Sequence, residues 1–219
     1  MNLDFSQIVP SIPFILQGIW VTLLFVIVSA LIGFFLGTIL ALFKISRVSL
    51  LKWFADAYTS IFRGTPLLLQ LMIIYFAVPQ LFQYDIPAFL AGVLAFGLNS
   101  GAYISEIIRA GIQAVDKGQR EAAEALGIKY RSMMKDIILP QALKNISPAL
   151  VNEFITLTKE SALVSTIGYL DIMRRAQVVG ANTYRYFEPF LVVGLIYYLL
   201  VMGLTLLGKY VERRMRQSD

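Results

Sequence analysis

The chain has 219 residues, 58% of them hydrophobic and 15% charged, with a formal net charge of +5 and neither cysteine nor histidine. Soluble domains carry about 25% charged residues, so this composition belongs to an integral membrane protein. The missing residue types exclude disulfides, thiolate nucleophiles, Ser-His-Asp triads and the usual metal ligands, and the basic residues lie beside apolar runs rather than in an aromatic-interleaved soluble patch, which argues against nucleic acid.

Residues 1–13 contain no Lys or Arg, and the apolar run after them is too long for a signal-peptide h-region, so the first span is expected to direct insertion itself. That run, residues 14–43, can cross a ~30 Å hydrocarbon core with tilt. Within it Ser29, Gly33, Gly37 and Ala41 recur every fourth residue as a small-residue ridge, read here as an internal packing face. Lys44, Arg47, Lys52 and Arg63 follow, interleaved with Trp53, Phe54, Tyr58 and Phe62, an interfacial stretch leading to a second span at 67–82. A third span, 88–108, has a second ridge of Gly97, Gly101 and Ser105, and carries the polar residues Asn99, Ser100 and Glu106.

The segment 117–140 is charged and helical. Glu121 to Leu126 are strong helix formers and Gly127 stands where a C-terminal cap belongs. So short a helix is marginal alone and asks for a surface to dock on. A fourth span, 137–157 and onward toward Val164, is loaded with Asn145, Ser147, Asn152, Glu153, Thr156, Lys159 and Glu160. Polar atoms cost too much to face lipid, so this helix should line an interior pathway. A mixed-charge connector, 168–185, leads to the last span, 187–207.

Fifteen of the nineteen basic residues fall in three segments, 44–63, 109–144 and 209 onward, which the positive-inside rule places in the cytoplasm. The expected fold is therefore an all-α membrane protein of five transmembrane helices, N-terminus outside and C-terminus cytoplasmic, with residues 1–219 as one transmembrane domain. Arg174, Arg175 and Arg185 fall outside, against the rule.

Several strings carry a resemblance. Glu121-Ala122-Ala123, then Gly127, then Ile137-x-Leu139-Pro140 resemble the EAA loop of bacterial ABC importer permeases. The strings Arg63-Gly64-Thr65-Pro66-Leu67-Leu68-Leu69-Gln70, Ser100 to Gly111 and Thr158 to Ser165 are similar to the polar amino acid branch of those permeases, the histidine, glutamine and arginine group. The resemblance covers nearly the whole chain. It implies a type I ABC importer transmembrane domain whose short cytoplasmic coupling helix, carrying Glu121, Ala122, Ala123, Glu124 and Gly127, docks into a separate ATPase. It also implies two permease subunits, identical or homologous, two ATPases that hold the ATP and Mg, and an extracytoplasmic binding protein that delivers an amino acid.

The chain has no phosphate-binding loop of the G-x-x-x-x-G-K-[ST] type, so uphill transport needs an outside ATPase and the chain is not expected to be an enzyme or to hold a cofactor. Glu153, Thr156 and Glu160 share one helix face, with the carboxylates about 10.5 Å apart along the axis, and Asn152, Thr156 and Lys159 form an adjoining stripe. Lys159 suits a substrate carboxylate and one glutamate its ammonium, leaving the other glutamate for a cationic side chain, guanidinium by preference. Asn99 is a further expected contact. Two other readings stand beside this one: Lys159 could neutralise Glu153 or Glu160 structurally, or a gradient-driven carrier could use both glutamates for ion coupling, though no inverted repeat supports it.

Overall fold

The computed structural model describes residues 4–216, and these form helices joined by short turns, with no strand among them. Two short 3-10 turns, Phe5–Gln7 and Val9–Ser11, lead into α1 (Ile12–Ile45). After it come α2 (Ser49–Gly64), α3 (Leu67–Phe82), α4 (Ala88–Gln113), α5 (Lys117–Ala125), α6 (130–160), a 3-10 segment Ser161–Ile167, α7 (Ile172–Thr183) and α8 (Phe187–Arg216).

Among the described residues three helices are long and apolar enough to cross a membrane: α1 with its 3-10 lead, α4 and α8. The pair α2 and α3, bent by 100° at their junction, makes a fourth when counted as one span. The sequence reading of five takes α6 as a further crossing. Its regular stretch Leu139–Glu160 has the length for it, 22 residues or about 33 Å. Composition alone does not mark it, because its polar load depresses hydropathy. The stretch before the second expected span is itself the helix α2, and the turn to α3 is built by Pro66, which holds Thr65 extended at φ −124°, ψ 147°.

The frame is the contact of α1 with α4. The two small-residue ridges face each other so closely that a methyl added to Gly33 would sit 2.9 Å from Ser100 Cβ, and one on Gly37 would sit 2.7 Å from Ile104 Cβ. Reciprocally, Gly97 and Gly101 accept Ile32 and Leu36 of α1. The ridge of α1 thus packs inside the chain, as the sequence reading holds. Around the joint Phe25, Phe96, Leu71, Leu157 and Val164 form one core, and Phe25 meets Phe96 edge-on at 5.0 Å between ring centroids.

Polar clasps fix the joint at one end. The buried Lys44 ammonium donates to Thr59 Oγ1 at 2.8 Å, lies 3.2 Å from Asp56, and is paired with Glu106, which also takes Arg109 at 2.5 Å. These contacts tie the end of α1 to α2 and α4. At the opposite end α7 lies across α1: the Ile172 backbone passes so near Gly18 that an added methyl would sit 2.8 Å from its Cα, and Ile172 N–H donates to Thr22 Oγ1 at 3.2 Å.

Asp171 caps α7, accepting the Arg174 N–H at 2.8 Å and, on its other oxygen, the Tyr197 hydroxyl at 3.3 Å. Arg175, one of the basic residues that run against the charge rule, wraps the start of α1, donating to Phe14 O at 2.9 Å with its guanidinium 4.6 Å from the Phe14 ring centre.

Two wide π turns, Ile73–Ala77 and Met133–Ile138, each end two residues before a proline, Pro79 and Pro140. A proline ring clashes with the carbonyl four residues back, and a widened turn gives that carbonyl room.

Gly37→Ala is expected to destabilise the detergent-solubilised protein by roughly 1–3 kcal/mol through overpacking against Ile104 and the Gly101 carbonyl. A thermal-unfolding midpoint matching that of Gly64→Ala, where nothing lies within 4 Å, would show that α1 and α4 are not in close contact. Burial lifts the Asp171 carboxyl to about 6, against about 3.9 in an unfolded chain. The folded state therefore favours its protonated form: the contribution is full below about pH 4 and is lost as pH rises through about 6. Asp171→Asn retains a cap without a charge and should flatten that slope in a plot of unfolding midpoint against pH; an undiminished slope would assign it to another group.

Candidate functional site

Two surfaces on this frame carry chemistry. The first is the second half of α6. Glu153 is half-buried where α1, α4 and α6 meet, and the fully buried Ser100 hydroxyl donates to its Oε1 at 2.8 Å. Beside it a cavity of about 240 Å³ opens, walled by Ile27, Leu31, Phe34, Leu150 and Phe154, with Glu153 the charged group on its wall. A carboxylate with one neutral donor in apolar surroundings is short of partners, and a cation is what would complete it.

Thr156 and Glu160 are half-buried further along α6, and Glu160 stands at its end, where the helix tightens into the 3-10 segment. Asn152 and Lys159 are exposed. Among the described residues Lys159 forms no salt bridge with Glu153 or Glu160, and its charge acts on Glu160 across a longer gap.

Asn99 lies apart from this group. Adjacent helical residues point about 100° apart, so with Ser100 turned to α6, Asn99 turns to α3. Its Nδ2 donates to Phe62 O at 3.0 Å and to Gln70 Oε1 at 3.0 Å, while Gln70 donates back to Phe62 O and Thr65. Both amide hydrogens hold the α2–α3 bend, which gives Asn99 a structural role away from Glu153. Ser100, not singled out as a contact from sequence, is the α4 residue that reaches Glu153. Its signal was its polarity within an apolar span, which does not say which neighbour the hydroxyl meets.

The second surface is α5. Asp116 accepts the Gly118 N–H at 2.7 Å as N-cap. The other end closes on Gly127 at φ +69°, with Gly127 N–H donating to Glu124 O and Ile128 N–H to Ala123 O, both at 3.0 Å. The cap expected at Gly127 is there, and the helix starts four residues before Glu121, at Lys117. Ala123 is buried, in a core with Val115, Met133, Ile138, Ala142 and Ile146. Glu121, Ala122 and Glu124 are exposed, as is Leu126 at 78%. α5 is a nine-residue helix held by its caps and one buried methyl, with a leucine exposed on its outer side.

A bundle of apolar spans joined by one polar helix, α6, with a capped helix presented from one end, fits a membrane transport subunit. The chain belongs to the family of binding-protein-dependent transport system inner membrane components, which matches residues 33–217. It is 62% identical over 219 residues, all of both chains, to the arginine transport system permease protein ArtQ of Bacillus subtilis (strain 168). It is 53% identical over 206 residues, 94% of both chains, to a putative glutamine transport system permease protein GlnP of Rickettsia typhi. The crystal structure of an amino acid ABC transporter with histidines superposes with a TM-score of 0.94 at 46% identity, covering 98% of this chain and 100% of that one.

Gly127→Val would force a β-branched residue into the left-handed region at a cost of about 1–2 kcal/mol, enough to open the last turn of α5. Amide exchange at 124–128 should accelerate severalfold while the global unfolding midpoint stays in place; unchanged protection there would mean the glycine does not set the cap.

Proposed function

We propose that this chain is the transmembrane subunit of an ATP-driven importer of polar amino acids that prefers cationic ones such as arginine, lysine and histidine. The observation that carries the preference is Glu153, half-buried beside a cavity with a single hydroxyl donor, and Glu160 seven residues on, neither in a salt bridge among the described residues. A guanidinium satisfies such a carboxylate bidentately, and Thr156 between the two adds a hydroxyl. Lys159 and Asn152, exposed on the adjoining stripe, are assigned to the carboxylate end of the solute. Similarity to a protein named for arginine transport supports this reading, and similarity to proteins named for glutamine is the reason to test it.

In this reading residues 1–219 form one transmembrane domain, N-terminus outside and C-terminus cytoplasmic, paired with a second permease copy or homologue. A dimer of ATPase subunits holds ATP and Mg and grips α5 through Glu121, Ala122, Glu124 and Gly127, while Ala123 anchors α5 to the chain. A binding protein delivers the solute outside. Nucleotide-driven closure of the ATPases moves the coupling helices and reopens the pathway on the other face. Ion coupling by Glu153 and Glu160 gains no support, since the family is binding-protein-dependent and a gradient-driven carrier has no use for α5.

The test is uptake of labelled arginine by proteoliposomes holding this chain, its ATPase and its binding protein, with and without ATP on the ATPase side, against glutamine and glutamate as competitors. The expected result is ATP-dependent arginine uptake that both competitors leave intact. Glu160→Gln should cut uptake of cationic amino acids roughly tenfold or more, the scale of a charged hydrogen bond, with assembly undisturbed. Unchanged selectivity would remove Glu160 from the site; preference for glutamine would make both glutamates structural.

A further inference from the structure

A hollow larger than the one at Glu153 lies elsewhere on the described chain. It is a cavity of about 1080 Å³ between the α1–α2 turn, the end of α4, α5 and the start of α6. Arg47, Lys117 and Arg120 stand on its wall, all exposed, and none of their side chains makes a hydrogen bond or ion pair among the described residues. Asp116, the acid on that wall, is engaged with the Gly118 N–H. Deeper in, the wall is apolar, including Ile112 and Met134. Three unpaired cations over an apolar floor fit a ligand that is anionic at one end and greasy at the other.

Its depth decides which ligand. α2 starts two residues after Arg47 and turns Leu50, Trp53 and Phe54 outward, 71%, 67% and 50% exposed, beside the exposed Lys52. A helix with an apolar aromatic face and a basic edge lies in the membrane interface. Arg47 is therefore at headgroup height, and the cavity opens where lipid phosphates are. Arg120, one turn before the anchoring Ala123, stands on the edge of α5 nearest that wall.

We propose that this cavity binds the phosphate headgroup of an anionic phospholipid, held by Arg47, Lys117 and Arg120 with its upper chain against Ile112 and Met134. Basic pockets at the ends of transmembrane helices on the cytoplasmic side take such headgroups. Because two of the three cations belong to the coupling helix, the lipid bridges α5 to the α1–α2 turn and braces the helix against the membrane. The proposal goes beyond the transport reading and does not need the identity of the solute.

The experiment is native mass spectrometry of the permease assembled with its ATPase, equilibrated with phosphatidylglycerol and phosphatidylcholine of matched acyl chains. Wild type should retain phosphatidylglycerol preferentially. Arg47→Gln with Arg120→Gln should cut that preference roughly thirty-fold, about fivefold for each cation lost near an anionic surface. Arg47→Lys with Arg120→Lys should restore most of it, and the charge-matched pair Lys209→Gln with Arg213→Gln should leave it alone. Because the intact assembly's mass is read in the same spectrum, misfolded or dissociated variants are recognised and only assembled species are compared. Equal loss in the control pair, or no loss in the Arg47 and Arg120 pair, would overturn the proposal. So would displacement of the lipid by inorganic pyrophosphate, which would assign the site to a soluble phosphate. Lipid held by the permease alone but absent from the assembly would give the cavity to the ATPase.

Discussion

Everything in this chain hangs on two backbones that touch. The glycines of α1 and α4 leave no room for a methyl between them, and where two helices approach that closely, van der Waals contact replaces the hydrophobic drive that lipid cannot supply. The joint then positions groups far apart in sequence. It sets Ser100 on the side that meets Glu153 of α6, and it brings Glu106 to the buried Lys44. Because α4 runs straight on toward α5, the same rigid pair also determines where the capped helix is presented.

Buried polarity is distributed unevenly around that frame. Lys44 has Thr59, Asp56 and Glu106, and the Asn99–Gln70 pair meets Phe62 and Thr65, so both clusters close on themselves and hold elements in place. Glu153 has one neutral donor and faces a cavity. A satisfied cluster is architecture, whereas an under-satisfied carboxylate is a demand on something not in the chain. Glu188 of α8 also keeps one buried oxygen without a partner among the described residues, but its other oxygen is paired with Arg185, whereas Glu153 has only the Ser100 hydroxyl.

The parts legible in sequence are those governed by local rules. Four-residue spacing of Ser29, Gly33, Gly37 and Ala41 is a packing face whatever it packs on, and Gly127 after a run of helix formers is a cap whatever follows. The polar load of α6 sets it apart from the lipid-facing spans, and its Glu153, Thr156 and Glu160 are half-buried while Asn145, Asn152 and Lys159 are exposed. What stayed hidden depends on azimuth and on distant partners. Asn99 and Ser100 are neighbours in sequence and equally polar, yet about 100° of helical rotation sends one to the α2–α3 bend and the other to Glu153. The 100° bend at Gly64–Pro66 was likewise invisible, since a proline permits a turn without setting its angle. The cavity under α5 needs four segments to meet, and no periodicity reports that.

The two π turns add a mechanical asymmetry. Met133–Ile138 lies between the docking helix and the polar half of α6, with Pro140 just after it and Pro148 inside the helix beyond. Each interrupts the regular ladder, so the path from α5 to Glu153 runs through an irregular stretch of helix. The opposite path, through α4 to the joint with α1, has no such break. The irregular turns thus lie between α5 and the carboxylates of α6, while the helix that joins α5 to α1 is unbroken.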